Sequence, residues 1–123
     1  MCDLEQASLG KHTVQWFDAP HLPHGWDCGF LFENTSQTLF CGDLFTQPGS
    51  DHKPITEEDI LESSETMRKQ MDYYAHAKNQ RQLFEKLANT HPKVLACMHG
   101  SAYKGDGFKL INTLANRVCG EIV

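Results

Sequence analysis

Residues 38–45 read Thr-Leu-Phe-Cys-Gly-Asp-Leu-Phe: an extended, largely apolar run that breaks at a glycine and presents a carboxylate immediately after it. Working back from it, Asn34-Thr35-Ser36-Gln37 is a cluster of turn formers, and Gly29 to Glu33 (Gly-Phe-Leu-Phe-Glu) is a second extended run. Two such runs around a polar turn predict a β-hairpin, whose second arm, Thr38 to Cys41, leads into Asp43. Further back, His12 to Phe17 is β-branched and aromatic and stops at Asp18-Ala19-Pro20, where proline withdraws a ladder donor. That segment predicts another strand.

Working forward, Thr46 to Pro54 is polar, with two prolines and a glycine, and predicts a surface loop. Thr56 with Asp59 three residues on has the pattern of a capping box. A helix is expected from there through Ile60, Met67, Met71 and Tyr74. Leu83, Phe84 and Leu87 share a face of a second helix, which Asn89-Thr90-His91-Pro92 ends. Lys93 to Met98 is a short apolar run suited to a buried strand, and it delivers His99-Gly100-Ser101 at its end. Phe108 to Val118 places Leu110, Ile111, Leu114 and Val118 on one helical face, with Asp106 before it as a cap.

At 123 residues, with 40% hydrophobic and 22% charged content, the chain supports one core, so residues 1–123 are expected to form a single domain. No run approaches the ~18–20 apolar residues of a membrane span, and Met1 to Glu5 lacks the basic and apolar regions of a leader. A soluble, cytoplasmic protein without a membrane partner is expected. A net charge of −5 with scattered Lys and Arg disfavours nucleic acid as a partner, since phosphate affinity comes from clustered cations. The five cysteines, Cys2, Cys28, Cys41, Cys97 and Cys119, are odd in number and form no Cys-x-x-Cys pair, so reduced thiols are expected. Cys41, Cys97 and Cys119 stand in apolar surroundings and read as small buried hydrophobes.

Three polar clusters fall where a strand gives way to a loop: 20–27, 41–45 and 98–101. Strand ends are where α/β proteins place their sites. His24, Asp43 and His99 are the residue types that a zinc or iron centre uses. Each has a plainer reading: Asp43 closing a turn, His99-Gly100 serving as a strand exit, His24 as a solvated loop residue.

His24-Gly25-Trp26-Asp27-Cys28-Gly29-Phe30-Leu31-Phe32, then residues 38–45, then Ala96-Cys97-Met98-His99-Gly100-Ser101, together resemble the later metal-binding motifs of the metallo-β-lactamase superfamily. The similarity runs from about His12 to the end and is closest to the oxygen-binding di-iron branch related to flavodiiron proteins. It implies an α/β fold: half of an α/β/β/α sandwich, with one mixed β-sheet covered by helices. It implies three ligand positions: His24 on a first metal, Asp43 bridging two metals, and His99 on the second. The metal would be zinc or iron, dinuclear in the family. His21 matches no ligand position, and neither do His12, His52, His76 and His91.

Family members also carry a His-x-His-x-Asp-His motif, or its Glu-containing di-iron variant, in their first half. These 123 residues contain no His-x-His or His-x-Glu pair. The expected site is therefore incomplete, with two protein ligands per metal, and hydrolase or di-iron oxidoreductase activity is not expected of this chain by itself. An uncovered sheet face implies a homo-oligomer or a complementing first half, and the small-molecule substrate stays open. A non-catalytic interaction module with the same half-fold is the competing expectation.

Other features have structural readings. Tyr73, Tyr74 and His76 are expected at the core or its rim, Gly105-Asp106-Gly107 as a helix cap, and Glu57-Glu58-Asp59 as acidic residues opening a helix. Ser101 and Cys28 lack the surroundings of a catalytic nucleophile.

Overall fold

Alternation of apolar and polar residues in the first half and helical periodicity in the second resolve, among the described residues, into ten elements. In chain order they are β1 (Gln6–Leu9), β2 (His12–Asp18), β3 (Gly29–Glu33), β4 (Thr38–Gly42), β5 (Ile55–Thr56), α1 (Leu61–Met71), α2 (Gln80–Ala88), β6 (Val94–Cys97), β7 (Ala102–Lys104) and α3 (Gly107–Cys119). They are seen in a computed structural model that describes residues 2–25, 28–71, 74 and 78–120. The strands form one mixed seven-stranded sheet in the order β1-β2-β3-β4-β6-β7-β5. β1 to β4 run antiparallel to one another, β6 lies parallel to β4, and β7 returns antiparallel to β6.

The two sheet faces differ because side chains alternate along each strand. One face carries Phe17, Phe30, Phe32, Leu39, Cys41 and Leu95, all 7% exposed or less. These join Leu83, Phe84 and Leu87 of α2 and Leu110, Ile111 and Leu114 of α3 in one apolar core. On the other face the register aligns Trp16 with Leu31, Leu31 with Phe40, and Phe40 with Ala96. That row is apolar across four strands, yet Phe40 is 47% exposed and the other three are only partly buried. The Trp16 indole packs against Gly29, where a Cβ would come within 1.9 Å of the ring, and donates to Asp18 Oδ1 at 2.6 Å.

The predicted strands, α2 and α3 stand where expected, and Asp106 accepts from the Lys109 N–H as a cap. Three short strands, β1, β5 and β7, were not anticipated, being too short or too polar to show periodicity. The capping box over Thr56 and Asp59 is corrected. Thr56 belongs to β5, while Asp59 accepts from the Leu61 and Glu62 N–H groups and so caps α1 three residues later than expected. The inward face of α1 is also corrected: Leu61, Ser64 and Glu65 are buried, and Met71 is 64% exposed. The loop expected at the surface from Thr46 begins inside the protein, with Thr46 and Gln47 buried. Cys119, expected in the core, is exposed. Tyr74 is buried as expected, while Trp26, Asp27, Tyr73 and His76 lie outside the described residues.

Candidate metal centre

Topology brings three loops to one edge of the sheet. β4 and β6 are parallel neighbours, so Asp43 and His99, each following its strand, emerge on the same side. β3 is antiparallel to β4, so the segment that precedes β3, with His24 in it, reaches that same edge. There the His24 imidazole Nε2 is 2.9 Å from Asp43 Oδ2, and His99 Nε2 is 3.2 Å from Asp43 Oδ1. The carboxylate thus stands between two imidazoles, one oxygen facing each. Asp43 also lies between two open pockets. One, of about 200 Å³, is lined by His24, Cys28, Cys41 and Met98 among others. The other, of about 210 Å³, is lined by Thr46, Met67, Met71 and His99. A larger pocket of about 420 Å³ sits by β5 and β7 and offers neither His nor Asp.

The loops are tied together from below. The Met98 N–H donates to the Gly42 carbonyl at 3.1 Å, and the Thr46 hydroxyl to the Asp43 carbonyl at 2.6 Å. Gln47 is the principal tie. Its N–H donates to the His99 carbonyl at 3.0 Å, its side-chain Nε2 donates to the Ser101 carbonyl at 3.0 Å, and its Oε1 accepts from the Ser101 N–H at 3.1 Å. Buried backbone groups must find partners, and here one amide serves the loop after β6 from the loop after β4. Gly100 has φ +110°, and a Cβ there would approach the Gln47 side chain to within 2.6 Å, so the close pass of the two loops requires glycine. Gln47 was missed in the sequence because a buried clamp and a solvated loop glutamine look alike without coordinates.

Behind the carboxylate, the Cys28 thiol donates to the His24 carbonyl at 3.5 Å. The neighbouring Cys97 thiol, together with burial, holds the Cys41 thiol well above the usual thiol range. The histidines expected to be bystanders are placed elsewhere. His12 pairs with Glu33 at 3.1 Å, His52 contacts the Pro48 carbonyl at 2.8 Å, His91 stacks on Phe108 at 4.6 Å, and His21 is exposed in its loop.

The donor spacing can be set against what a cation needs. Bonds of ~2.0–2.2 Å to an imidazole nitrogen and a carboxylate oxygen, at angles between right and tetrahedral, leave those donors roughly 3.0–3.4 Å apart. The observed 2.9 and 3.2 Å are close to that range. Ligand number is the mismatch. Each cation would receive one imidazole and one carboxylate oxygen, where a catalytic zinc takes about three protein ligands. Among the described residues no group of three or more His, Cys, Asp or Glu side chains is arranged to hold an ion. Among the described residues, then, the donor spacing suits a cation while the donor number falls short of a complete centre.

Comparison with solved structures gives the fold its place. A chemotaxis sensor solved as a peroxy diiron species superposes with a TM-score of 0.71 at 22% identity, over 95% of this chain and 49% of that one. The flavodiiron protein from Giardia intestinalis does so with a TM-score of 0.72 at 19% identity, over 95% of this chain and 29% of that one. The fold is metallo-β-lactamase-like. A metallo-β-lactamase superfamily protein from Sulfolobus tokodaii also matches, with a TM-score of 0.58 at 14% identity, over 96% of this chain and 38% of that one. This chain thus spans about half the length of the sensor and less than a third of the flavodiiron protein. No family model and no curated protein matches the sequence. Among the described residues no helix is long and apolar enough to cross a membrane.

Proposed function

We propose that this chain is the later, ligand-bearing half of a metallo-β-lactamase-type dinuclear metal domain, in which His24 serves one cation, His99 the other and Asp43 bridges them. The observation that carries this is the Asp43 carboxylate with one oxygen toward each imidazole, 2.9 and 3.2 Å away, the three side chains arriving from three separate loops. A bridging carboxylate needs that two-sided arrangement, whereas an aspartate closing a turn does not. Iron is favoured over zinc by the di-iron proteins among the fold neighbours. The remaining ligands would come from another polypeptide segment, within a longer protein or on a second chain.

With two ligands per cation, these 123 residues by themselves are expected to bind metal weakly and to have little hydrolase or oxygen-reducing activity. The apolar row Trp16, Leu31, Phe40 and Ala96 supports the further proposal that a second apolar surface covers this sheet face, either another copy or the complementing half. The same row favours the second reading, an interaction module without catalysis. Titration with Fe(II) or Zn(II) read at equilibrium, without desalting, separates the two readings. Weak binding that Asp43→Ala and His24→Ala both abolish supports the metal centre. Metal-free protein whose oligomeric state is the same in both variants supports the interaction module.

A further inference from the structure

Beneath the candidate centre lies a pair of thiols that the proposed function does not use. β4 and β6 run parallel with Leu39 opposite Leu95, and both leucines point into the core. Two residues on, alternation puts Cys41 and Cys97 on that same face. The register slips between Phe40 and Gly42, so that Gly42 stands opposite Cys97 and Cys41 lies just beside it. The two side chains thus stand on neighbouring strands and the same face, Cys41 in the core and Cys97 packed against it. Each thiol also reaches back along its own strand, Cys41 to the Leu39 carbonyl at 3.6 Å and Cys97 to the Leu95 carbonyl at 3.8 Å. Adjacent strands lie ~4.8 Å apart, inside the ~4.4–6.8 Å Cα separation that a disulfide accepts.

We propose that Cys41 and Cys97 form a reversible disulfide that clamps the ends of β4 and β6. Both are thiols in the structure, Cys41 fully buried and Cys97 partly exposed. Access sets the order of events with a small-molecule disulfide as oxidant. The Cys97 thiolate attacks one sulfur of the oxidant, forms a mixed disulfide and releases one small thiol. Cys41 then gives up its proton as it attacks Cys97 Sγ, closing the Cys41–Cys97 bond and releasing the second small thiol. The two cysteines lose two protons and two electrons, and the oxidant takes them up as two thiols.

Asp43 follows Cys41 by two residues and His99 follows Cys97 by two, so the bond would fix the spacing of the strand ends that carry them. That consequence rests on the metal reading, while formation of the bond does not.

The test is to incubate the folded chain with oxidised glutathione, block remaining thiols by alkylation, digest, and identify linked peptides by mass spectrometry. The expected result is one dithiothreitol-reversible link joining the Cys41 and Cys97 peptides, lost in Cys97→Ser. Closing so long a loop should also raise Tm by about 5 °C or more. Metal binding, read separately, reports on the metal proposal whichever way the thiols behave. Glutathione left on Cys97 with Cys41 still alkylatable after denaturation would overturn the inference, as would a link that forms only in denaturant. Links confined to the exposed Cys2 and Cys119 would overturn it too.

Discussion

The two faces of the one sheet are built from similar residues and end in different states. Phe30 and Phe32, with Leu39 and Leu95, are 7% exposed or less beneath α2 and α3. Leu31 and Phe40, their immediate neighbours in sequence, lie on the opposite face, where Phe40 stays 47% exposed. Alternation alone assigns each residue to a face, and what packs on that face decides whether its apolar surface is hidden. The difference teaches that the hydrophobic content of a strand shows how much surface needs covering without naming what covers it. The helices of this chain cover one side. The other has the make-up of an interface.

The largest effect should come from the covered face. Phe30→Ala removes a ring that is 2% exposed and is expected to cost about 3–5 kcal/mol in urea unfolding. Phe40→Ala, one strand over and on the other face, should cost under about 1 kcal/mol in the monomer. A similar cost at both positions would mean that the second face is also internally packed. Phe40→Asp sharpens the point, since any self-association seen by sedimentation should weaken while the monomer stays folded.

An intermediate effect is expected at the site's foundation. Gln47→Ala leaves the buried Ser101 N–H without its acceptor and removes the side-chain donor to the Ser101 carbonyl, at a cost of about 1–3 kcal/mol by denaturant unfolding. It should also slow-exchange less well: amide protection at Ser101 is expected to fall. Unchanged stability and exchange would remove Gln47 from the role of clamp.

The smallest effect concerns the hairpin turn. Desolvation pushes the Glu33 carboxyl up, but hydrogen bonds from the Thr35 and Ser36 N–H groups, the Ser36 hydroxyl and His12 outweigh it, and the net pKa falls from 4.5 to about 2. A depressed carboxylate contributes stability that is fully present above pH 4.5 and is lost as pH falls toward 2. The urea midpoint should therefore drop across that interval, and Glu33→Gln should flatten the drop slightly, the group being exposed.

Much of this was legible in the sequence. The strands holding Phe17, Phe30 and Leu39, the helix bearing Leu110, Ile111 and Leu114, and the Asp106 cap follow from period and turn chemistry. The approach of His24, Asp43 and His99 was legible through motif resemblance, since spacing alone cannot tell which loops share a sheet edge. β5 and β7 were not legible, because a two- or three-residue strand is made by its neighbours rather than by its own pattern. The α1 face was misjudged because Met67 and Met71 are apolar yet line an open pocket beside Asp43 and His99. A methionine does not announce whether it fills a core or borders a site.

Imidazole NMR during a Zn(II) titration tests whether His24, Asp43 and His99 share one dinuclear site. His24 and His99 should shift together at the same metal concentration, while His12, His21, His52 and His91 stay in place, and Asp43→Ala should weaken the response by roughly tenfold or more. Shifts led by His21 or His52, or a response untouched by Asp43→Ala, would contradict it.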